Sequence, residues 1–205
     1  MIAIIDYDAG NLKSVRKALH YIGQDCIVTR DREELRKADK VILPGVGSFG
    51  DAMANLKRFE LDKVIRELVA EDTPFLGICL GLQLLFEASE ESPGVEGLGL
   101  LQGEIVRIPE AYGLKIPHIG WNSLELQGDG RLFRGLPKTP YVYFVHSYYL
   151  KAREEAIVKA TTDYGVHIHA SVEKNNLFAC QFHPEKSSGT GLAILRNFAE
   201  LGGEG

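Results

Sequence analysis

The sequence is poor in the features that mark secreted, membrane-spanning or nucleic-acid-binding proteins. It has only three cysteines, and their odd number and wide spacing (26, 79 and 180) fit neither a disulfide framework nor a zinc site. No apolar run is long enough to cross a bilayer. No run of lysine or arginine forms a basic stripe, and the net charge is −5. These absences predict free thiols, no metal centre, and partners that are small molecules or proteins.

The first residues also lack the basic region and the cleavage pattern of a signal peptide. They are expected to start a strand, and the cytoplasm is the expected compartment. With 205 residues and 45% hydrophobic content, the chain can bury one full core. We therefore expect a single domain over residues 1–205.

The first half of the sequence alternates short apolar runs with helical patterns. Strands are predicted at residues 2–6, 26–29 and 40–43, and Asn11 is placed to cap a helix between the first two. Three parallel strands in succession predict a doubly wound α/β sheet. From about residue 103 to 170 the pattern changes to antiparallel strands, one of them over residues 141–149. This half is expected to add a β-rich segment to the same core.

The stretch Gly77-Ile78-Cys79-Leu80-Gly81 follows a predicted buried strand at residues 74–78 and opens a helix. It is the thiol counterpart of the G-x-S-x-G turn, in which the nucleophile sits on a strained bend between flanking glycines. The amide that follows the cysteine could donate to an oxyanion. Alternatively, Cys79 is a small hydrophobic residue at the end of a core strand, because free cysteine is often buried. The stretch alone does not decide between these readings.

A glycine-rich loop, Pro44-Gly45-Val46-Gly47-Ser48-Phe49-Gly50, contains the pattern G-x-G-x-x-G between a strand and a helix predicted over residues 51–70. A dinucleotide site would also need an acidic residue at the end of the next strand, where Cys79 stands instead. We therefore favour a loop that offers the amides of Val46 or Gly47 to an oxyanion beside Cys79. A glycine-rich turn without a ligand remains the alternative.

A base for the thiol is found in His183-Pro184-Glu185, directly after the last predicted strand. The proline is expected to hold the tripeptide extended, so that His183 and Glu185 point to the same side. Glu185 could then fix the tautomer of His183, as the third member of a triad does. If that strand runs parallel to the others, the histidine and the cysteine meet at one edge of the sheet.

Taken together, Pro44-Gly45-Val46-Gly47, Gly77 to Gln83 and His183-Pro184-Glu185 resemble the class I (triad) glutamine amidotransferases over nearly the whole chain. That family has a flavodoxin-like, mostly parallel α/β sheet with an added antiparallel β segment. Within it, four blocks are similar to the glutaminase subunits of imidazole glycerol phosphate synthase, in histidine biosynthesis. The blocks are Asp6-Tyr7-x-x-Gly10-Asn11, His118-Ile119-Gly120-Trp121-Asn122, Tyr143-Phe144-Val145-His146-Ser147-Tyr148 and His183-Pro184-Glu185-Lys186-Ser187.

The resemblance implies a role for each matched residue. Cys79 would attack the side-chain amide of glutamine, His183 would transfer its proton, and Glu185 would orient His183. Backbone amides at Val46, Gly47 and Leu80 would bind the oxyanion, and the glutamine would be held by Gln83, Glu91, Ser147 and Tyr148. No cofactor is implied.

The resemblance also implies a partner, a (β/α)₈ barrel cyclase subunit that receives the ammonia and makes imidazole glycerol phosphate and AICAR. The positions that match the family's partner interface are Asn11, Ser14, Trp121, Tyr143 and Lys186.

Other functions stay open at this point. The class motifs are shared with the glutaminase subunits of other amidotransferases, such as those of pyridoxal phosphate and anthranilate synthesis. A cysteine hydrolase acting on another amide or ester, and a non-enzymatic flavodoxin-like interaction domain, are the competing classes.

Overall fold

The computed structural model describes residues 1–110, 113–128 and 130–202. Its strands are β1 (Ile2–Ile5), β2 (Cys26–Thr29), β3 (Lys40–Gly45), β4 (Phe75–Cys79), β5 (Ala88–Ser89), β6 (Gly103–Arg107), β7 (His118–Ser123), β8 (Glu125–Leu126), β9 (Tyr141–His146), β10 (Tyr148–Ala152), β11 (Val158–Asp163), β12 (His167–Lys174) and β13 (Leu177–Cys180). Its α-helices are α1 (Leu12–Tyr21), α2 (Arg32–Arg36), α3 (Phe49–Arg58), α4 (Leu61–Ala70), α5 (Leu80–Leu84) and α6 (Ser188–Ala199). Short 3₁₀ helices cover Arg131–Phe133, Glu155–Ile157 and Pro184–Lys186.

An eight-stranded sheet with the order β2-β1-β3-β4-β13-β12-β11-β8 forms the centre of the fold. The first five strands in that order are parallel, and the last three join by antiparallel pairing. The parallel part has the strand order of flavodoxin-like sheets. The predicted fold class, a mostly parallel α/β sheet with added antiparallel strands, is confirmed.

The parallel strands are buried on both faces of the sheet. Ala3 and Ile5 of β1 belong to one apolar cluster with α3 and α4, whereas Ile2 and Ile4 belong to the opposite cluster with α1 and α6. This explains why these strands read as continuous apolar runs rather than alternating ones. No helix among residues 1–110, 113–128 and 130–202 has the length and apolar character that crossing a membrane requires.

The helix predicted over residues 51–70 is wrong, because two helices occupy that region. The chain turns at Glu60, whose φ of 56° lies in the left-handed region. The break is visible in the apolar spacing, since buried Leu56 is followed by buried Leu61, five positions on rather than three or four. That phase shift is the only sequence signal of the break, which has neither glycine nor proline.

The single strand predicted over residues 141–149 is also wrong. The chain leaves β9 at His146 and enters β10 at Tyr148, and the two strands lie in different sheets. β9 pairs with β7, whereas β10 pairs with β6, which itself pairs in parallel with β5. Ser147 stands at the change of sheet, and its carbonyl accepts from Ile108 N at 2.9 Å. This change exposes the 147–148 backbone to a pocket described below.

The junction between β4 and α5 is very closely packed. Cys79 has φ 55° and ψ −109°, a backbone conformation that is strained for any residue with a side chain. An ideal Cβ on Gly81 would lie 1.9 Å from the carbonyl oxygen of Leu43 in β3. A Cβ on Gly77 would lie 2.7 Å from the Gly81 oxygen. The two glycines flanking the cysteine therefore allow the helix to start against the neighbouring strand.

We expect Gly81→Ala to destabilise the fold by at least about 1–3 kcal/mol, because the Leu43 backbone must move to admit the methyl group. Gly189→Ala is the matched control, since Gly189 lies in α6 and its Cβ would meet nothing within 4 Å. Urea unfolding of both variants measures the effect. Equal free energies of unfolding for Gly81→Ala and the wild type would show that the junction is not tightly packed.

Candidate active site

The carboxyl ends of the parallel strands meet at one edge of the sheet and enclose a pocket of about 290 Å³. β3 leads into the glycine loop, β4 into Cys79, and β13 into the His183 turn. β13 pairs with β4 in parallel, so His183 and Cys79 follow their strands at the same edge of the sheet, as the sequence analysis required. The lining residues comprise Val46, Gly47, Cys79, Leu80, Gln83, Glu91, Ser147, Tyr148 and His183, all singled out from the sequence, and Pro117, Val145 and His146, which were not.

Cys79 lies at the floor of this pocket with 7% of its surface exposed. Its Sγ is 3.9 Å from the carbonyl oxygen of Val145 and 3.7 Å from Nε2 of Gln181. None of the three cysteines forms a disulfide. The thiol is therefore free, is held by the strained junction, and can be reached through the pocket.

His183 and Glu185 form a buried pair, with Nδ1 2.8 Å from Oε1 and both side chains 1% exposed. A carboxylate can only accept, so Nδ1 carries a proton, and Nε2 is the nitrogen left to exchange one with the pocket. Within the described part of the chain, Nε2 has no hydrogen-bond partner. Burial by itself lowers the pKa of His183, but its interactions with Cys79 and Glu185 outweigh burial and raise the pKa to about 10. The imidazole therefore favours its protonated form at pH 7.

The expected extended conformation of His183-Pro184-Glu185 is wrong, although the two side chains do meet. His183 is extended, with φ −103° and ψ 97°, but Pro184 begins a 3₁₀ helix. Proline restricts the residue before it and is itself well suited to a first helical position. The 3₁₀ turn, not an extended strand, brings the carboxylate of Glu185 back to the imidazole.

Glu91 joins the pocket wall to the glycine loop. Its Oε2 accepts from Phe49 N at 2.7 Å, at the first residue of α3. Next to it, Ser92 Oγ accepts from Gly50 N at 2.9 Å. The end of the loop is therefore tied to the segment that carries Glu91, while Gly47, with φ 104°, has a conformation that glycine adopts readily.

The start of the same loop is fixed by a residue that the sequence analysis did not single out as a site residue. Tyr7, completely buried at the end of β1, donates from its hydroxyl to Pro44 O at 2.8 Å. Burial, and secondarily the charge of Cys79, raise the pKa of Tyr7, so its hydroxyl keeps its proton. The loop that carries Val46 and Gly47 is thus held at both ends.

Gln83 is 5% exposed, and its side-chain nitrogen already makes hydrogen bonds within the protein. Its Nε2 lies 3.2 Å from Tyr148 O and 3.2 Å from Gln181 Oε1, so both of its N–H groups have acceptors. Only its carbonyl oxygen is left for a ligand.

Two buried histidines extend this polar network and were also missed. His146 Nδ1 is 2.9 Å from Tyr148 O, and its Nε2 is 3.0 Å from Nδ1 of His118. Since the Tyr148 carbonyl can only accept, His146 donates to it and His118 donates to His146. Burial lowers the pKa of His118 to about 4 and that of His146 to about 3, so both imidazoles are neutral at pH 7, as this pairing requires.

The residues matched to a partner interface lie on neighbouring elements: the start of α1, β7, β9 and the 3₁₀ turn after His183. Trp121 and Tyr143 oppose each other across the β7–β9 pair, with ring centroids 6.0 Å apart. Trp121 is 52% exposed, Lys186 is exposed, and Asn11, Ser14 and Tyr143 are partly buried. Asn11 occupies the N-cap position of α1, but its side chain makes no capping hydrogen bond, contrary to expectation.

The interface residues are connected to the candidate base through the backbone. His183 N donates to Tyr143 O at 3.0 Å, and Tyr143 N donates to Ser187 Oγ at 2.9 Å. α1, which follows Asn11, contacts the 3₁₀ turn that carries Glu185 and Lys186. Tyr143, whose ring meets that of Trp121, is therefore hydrogen-bonded directly to the backbone of the candidate base.

Comparison with known proteins agrees with this architecture. The model of the class-I glutamine amidotransferase family matches residues 3–201. A solved glutamine amidotransferase superposes with a TM-score of 0.77 at 22% identity, covering 99% of this chain and 100% of the other. A PurLQS structure from Thermotoga maritima superposes with a TM-score of 0.74 at 21% identity, covering 97% of each chain. At these identities the structures show a shared fold.

Sequence relatives are much closer. The imidazole glycerol phosphate synthase subunit HisH of Moorella thermoacetica is 54% identical, with 98% of this chain and 94% of that protein covered. HisH of Bacillus subtilis is 50% identical, with 100% of this chain and 98% of that protein covered. The family match, the fold and these relatives lead to one conclusion: the chain belongs to the class-I glutamine amidotransferases and, within them, to the HisH family of imidazole glycerol phosphate synthase subunits.

Proposed function

We propose that this protein is the glutaminase subunit of imidazole glycerol phosphate synthase. It hydrolyses glutamine to glutamate and ammonia and passes the ammonia to a (β/α)₈ barrel cyclase subunit, which makes imidazole glycerol phosphate and AICAR. The observation that carries the proposal is the shared pocket of Cys79, on its strained junction, and the buried His183–Glu185 pair. A nucleophile, a base and an orienting carboxylate in one pocket are what acyl transfer from an amide requires.

In this mechanism Cys79 gives its proton to Nε2 of His183, and the sulfur attacks the carboxamide carbon of glutamine. The C–S bond forms as the carbonyl electron pair moves to oxygen. His183 then delivers the proton to the leaving amine, and ammonia and a thioester result. Water, deprotonated by the same imidazole, attacks the thioester, and glutamate leaves as the C–S electron pair returns to sulfur.

Backbone groups around the thiol complete the proposed site. Val46, Gly47 and Leu80 line the pocket, and their backbone amides would stabilise the oxyanion. The Gln83 carbonyl oxygen, the carboxylate of Glu91 and the backbone of Ser147 and Tyr148 would hold the amino acid portion of glutamine, since all four line the same pocket.

The partner is proposed to dock on the surface formed by Asn11, Ser14, Trp121, Tyr143 and Lys186. An exposed aromatic side chain such as that of Trp121 is typical of the centre of a protein interface. The heterodimer would work in the cytoplasm as a single-domain glutaminase bound to its cyclase.

The nucleophile is tested by Cys79→Ala in the complex with the cyclase. Glutamine-dependent synthesis should fall by at least about 10³-fold because no thioester can form, whereas synthesis from added ammonium salts should be unchanged. Cys26→Ser is the matched control, since that thiol lies in β2, outside the pocket. Loss of both syntheses in Cys79→Ala would point to a folding or docking role instead.

The interface is tested by Trp121→Ala. We expect affinity for the cyclase to fall roughly 10- to 100-fold, as for an aromatic residue central to an interface. Because ammonia released without the cyclase is lost to solvent, we also propose that glutaminase turnover is coupled to cyclase binding and rises with it. In the variant this rise should be lost at low cyclase concentration. Tyr21→Ala is the control, because Tyr21 is 79% exposed at the far end of α1. If the glutaminase turns over equally fast with and without the cyclase, the proposed coupling is wrong.

A further inference from the structure

Gln181 is a fully buried amide placed against the thiol by the register of the central sheet. β13 pairs with β4 so that Cys180 stands beside Ile78, which puts the next residue of each strand, Gln181 and Cys79, side by side. Gln181 is 0% exposed, and its Nε2 is 3.7 Å from the Cys79 sulfur. A buried side-chain amide costs stability unless its hydrogen bonds are made. The partners of the Gln181 amide therefore determine which of its two atoms faces the sulfur.

The orientation of the amide is fixed by one backbone carbonyl. Tyr148 O can only accept, so the Gln83 atom 3.2 Å away must be the nitrogen. The second N–H of that nitrogen points to Gln181 at 3.2 Å, where only an oxygen can accept it. The remaining atom of the Gln181 amide, which faces the sulfur, is therefore the nitrogen. Reversing Gln181 would place two donors against each other at Gln83.

The sulfur thus has a donor on one side and an acceptor on the other. As a thiol, Cys79 can donate to Val145 O at 3.9 Å, and it is only a weak acceptor from Gln181. As a thiolate it cannot donate to Val145, but it accepts a charge-assisted hydrogen bond from the Gln181 amide, which is roughly twice as strong as a neutral one. The arrangement favours the charged sulfur relative to the same pocket without the amide.

We propose that Gln181 is a catalytic residue whose side-chain N–H donates to the Cys79 sulfur and stabilises it whenever the sulfur is negatively charged. That occurs before attack on the carboxamide carbon, and again when the thioester is hydrolysed and the C–S electron pair returns to sulfur. In the thioester the sulfur is a poor acceptor, so the contact stabilises the thiolate selectively. Gln181 transfers no proton, and His183 remains the only proton carrier. The inference deepens the proposed function and rests on it.

The test measures the thiolate directly, in the isolated chain and without glutamine. The rate of Cys79 alkylation by iodoacetamide is followed against pH, with peptide mass spectrometry separating Cys79 from Cys26. In Gln181→Met, which keeps the length of the side chain but has no donor, we expect the midpoint of the profile to rise by about one pH unit, a roughly tenfold loss of thiolate below the midpoint. The control Ser171→Ala removes another buried hydrogen bond, to Ala179 O in β13, and should leave the midpoint unchanged.

The other ionisable residues around the sulfur are the same in the wild type and the variants. They are Tyr7 after β1, Glu91 in the wall, His146 of β9, Cys180 of β13, and His183 and Glu185 of the turn. A difference between the alkylation midpoints of the wild type and a variant therefore reports the effect of Gln181. If Gln181→Met does not fold, Gln181→Leu serves instead: it also fills the space without a donor, so the midpoint should rise by a similar amount. A variant that folds and alkylates with the wild-type midpoint overturns the inference.

An assay of ammonia release from glutamine by the wild type in the complex, run beside this experiment, separates the inference from the proposed function. If the wild type releases no ammonia from glutamine but the midpoint still shifts in Gln181→Met, the proposed function fails and the contact to sulfur stands. If the wild type is a glutaminase and the midpoints coincide, Gln181 only fills space, and the proposed function is unaffected.

Discussion

The contact between Gly81 and the Leu43 carbonyl is the constraint on which the rest of the site depends. A helix can begin this close to β3 only without a side chain at position 81, since a Cβ there would lie 1.9 Å from that oxygen. The close start of α5 holds Cys79 at a positive φ, where the residue lines the pocket. Local strain is thus maintained by the packing of a buried parallel sheet.

A second constraint is the Tyr148 carbonyl, where two polar chains converge. Gln83 donates to it from one side, and His146 donates to it from the other. The first chain continues to the Cys79 sulfur through Gln181, and the second continues to His118 in β7, the strand that also carries exposed Trp121. Tyr148 in the pocket lining, the Cys79 sulfur and strand β7 therefore belong to one hydrogen-bonded network. A shift of β7 on docking could reach the thiol through these hydrogen bonds.

The features that could be predicted from the sequence are those that depend on local residue patterns. The G-x-C-x-G turn, the alternation of parallel strands and helices, and the His183–Glu185 spacing each depend on a few neighbouring residues. Gln181 was missed because its partner Cys79 lies 102 residues away along the chain and is brought to it by sheet register. His146 was missed because its contact with Tyr148, only two residues on, depends on the change of sheet between them. The helix break at Glu60 was missed because a left-handed glutamate carries no composition signal, only a phase shift.

In this account the strained junction presents Cys79, and neither Cys26 nor Cys180, to the proposed glutamine pocket. This claim is tested most directly by treating the isolated chain with a chloroketone analogue of glutamine and mapping the adduct by peptide mass spectrometry. The account predicts one adduct, on Cys79, that excess glutamine suppresses, with Cys26 and Cys180 unlabelled. Labelling spread over Cys26 and Cys79 at similar rates, or labelling of Cys79 that glutamine does not slow, would contradict it.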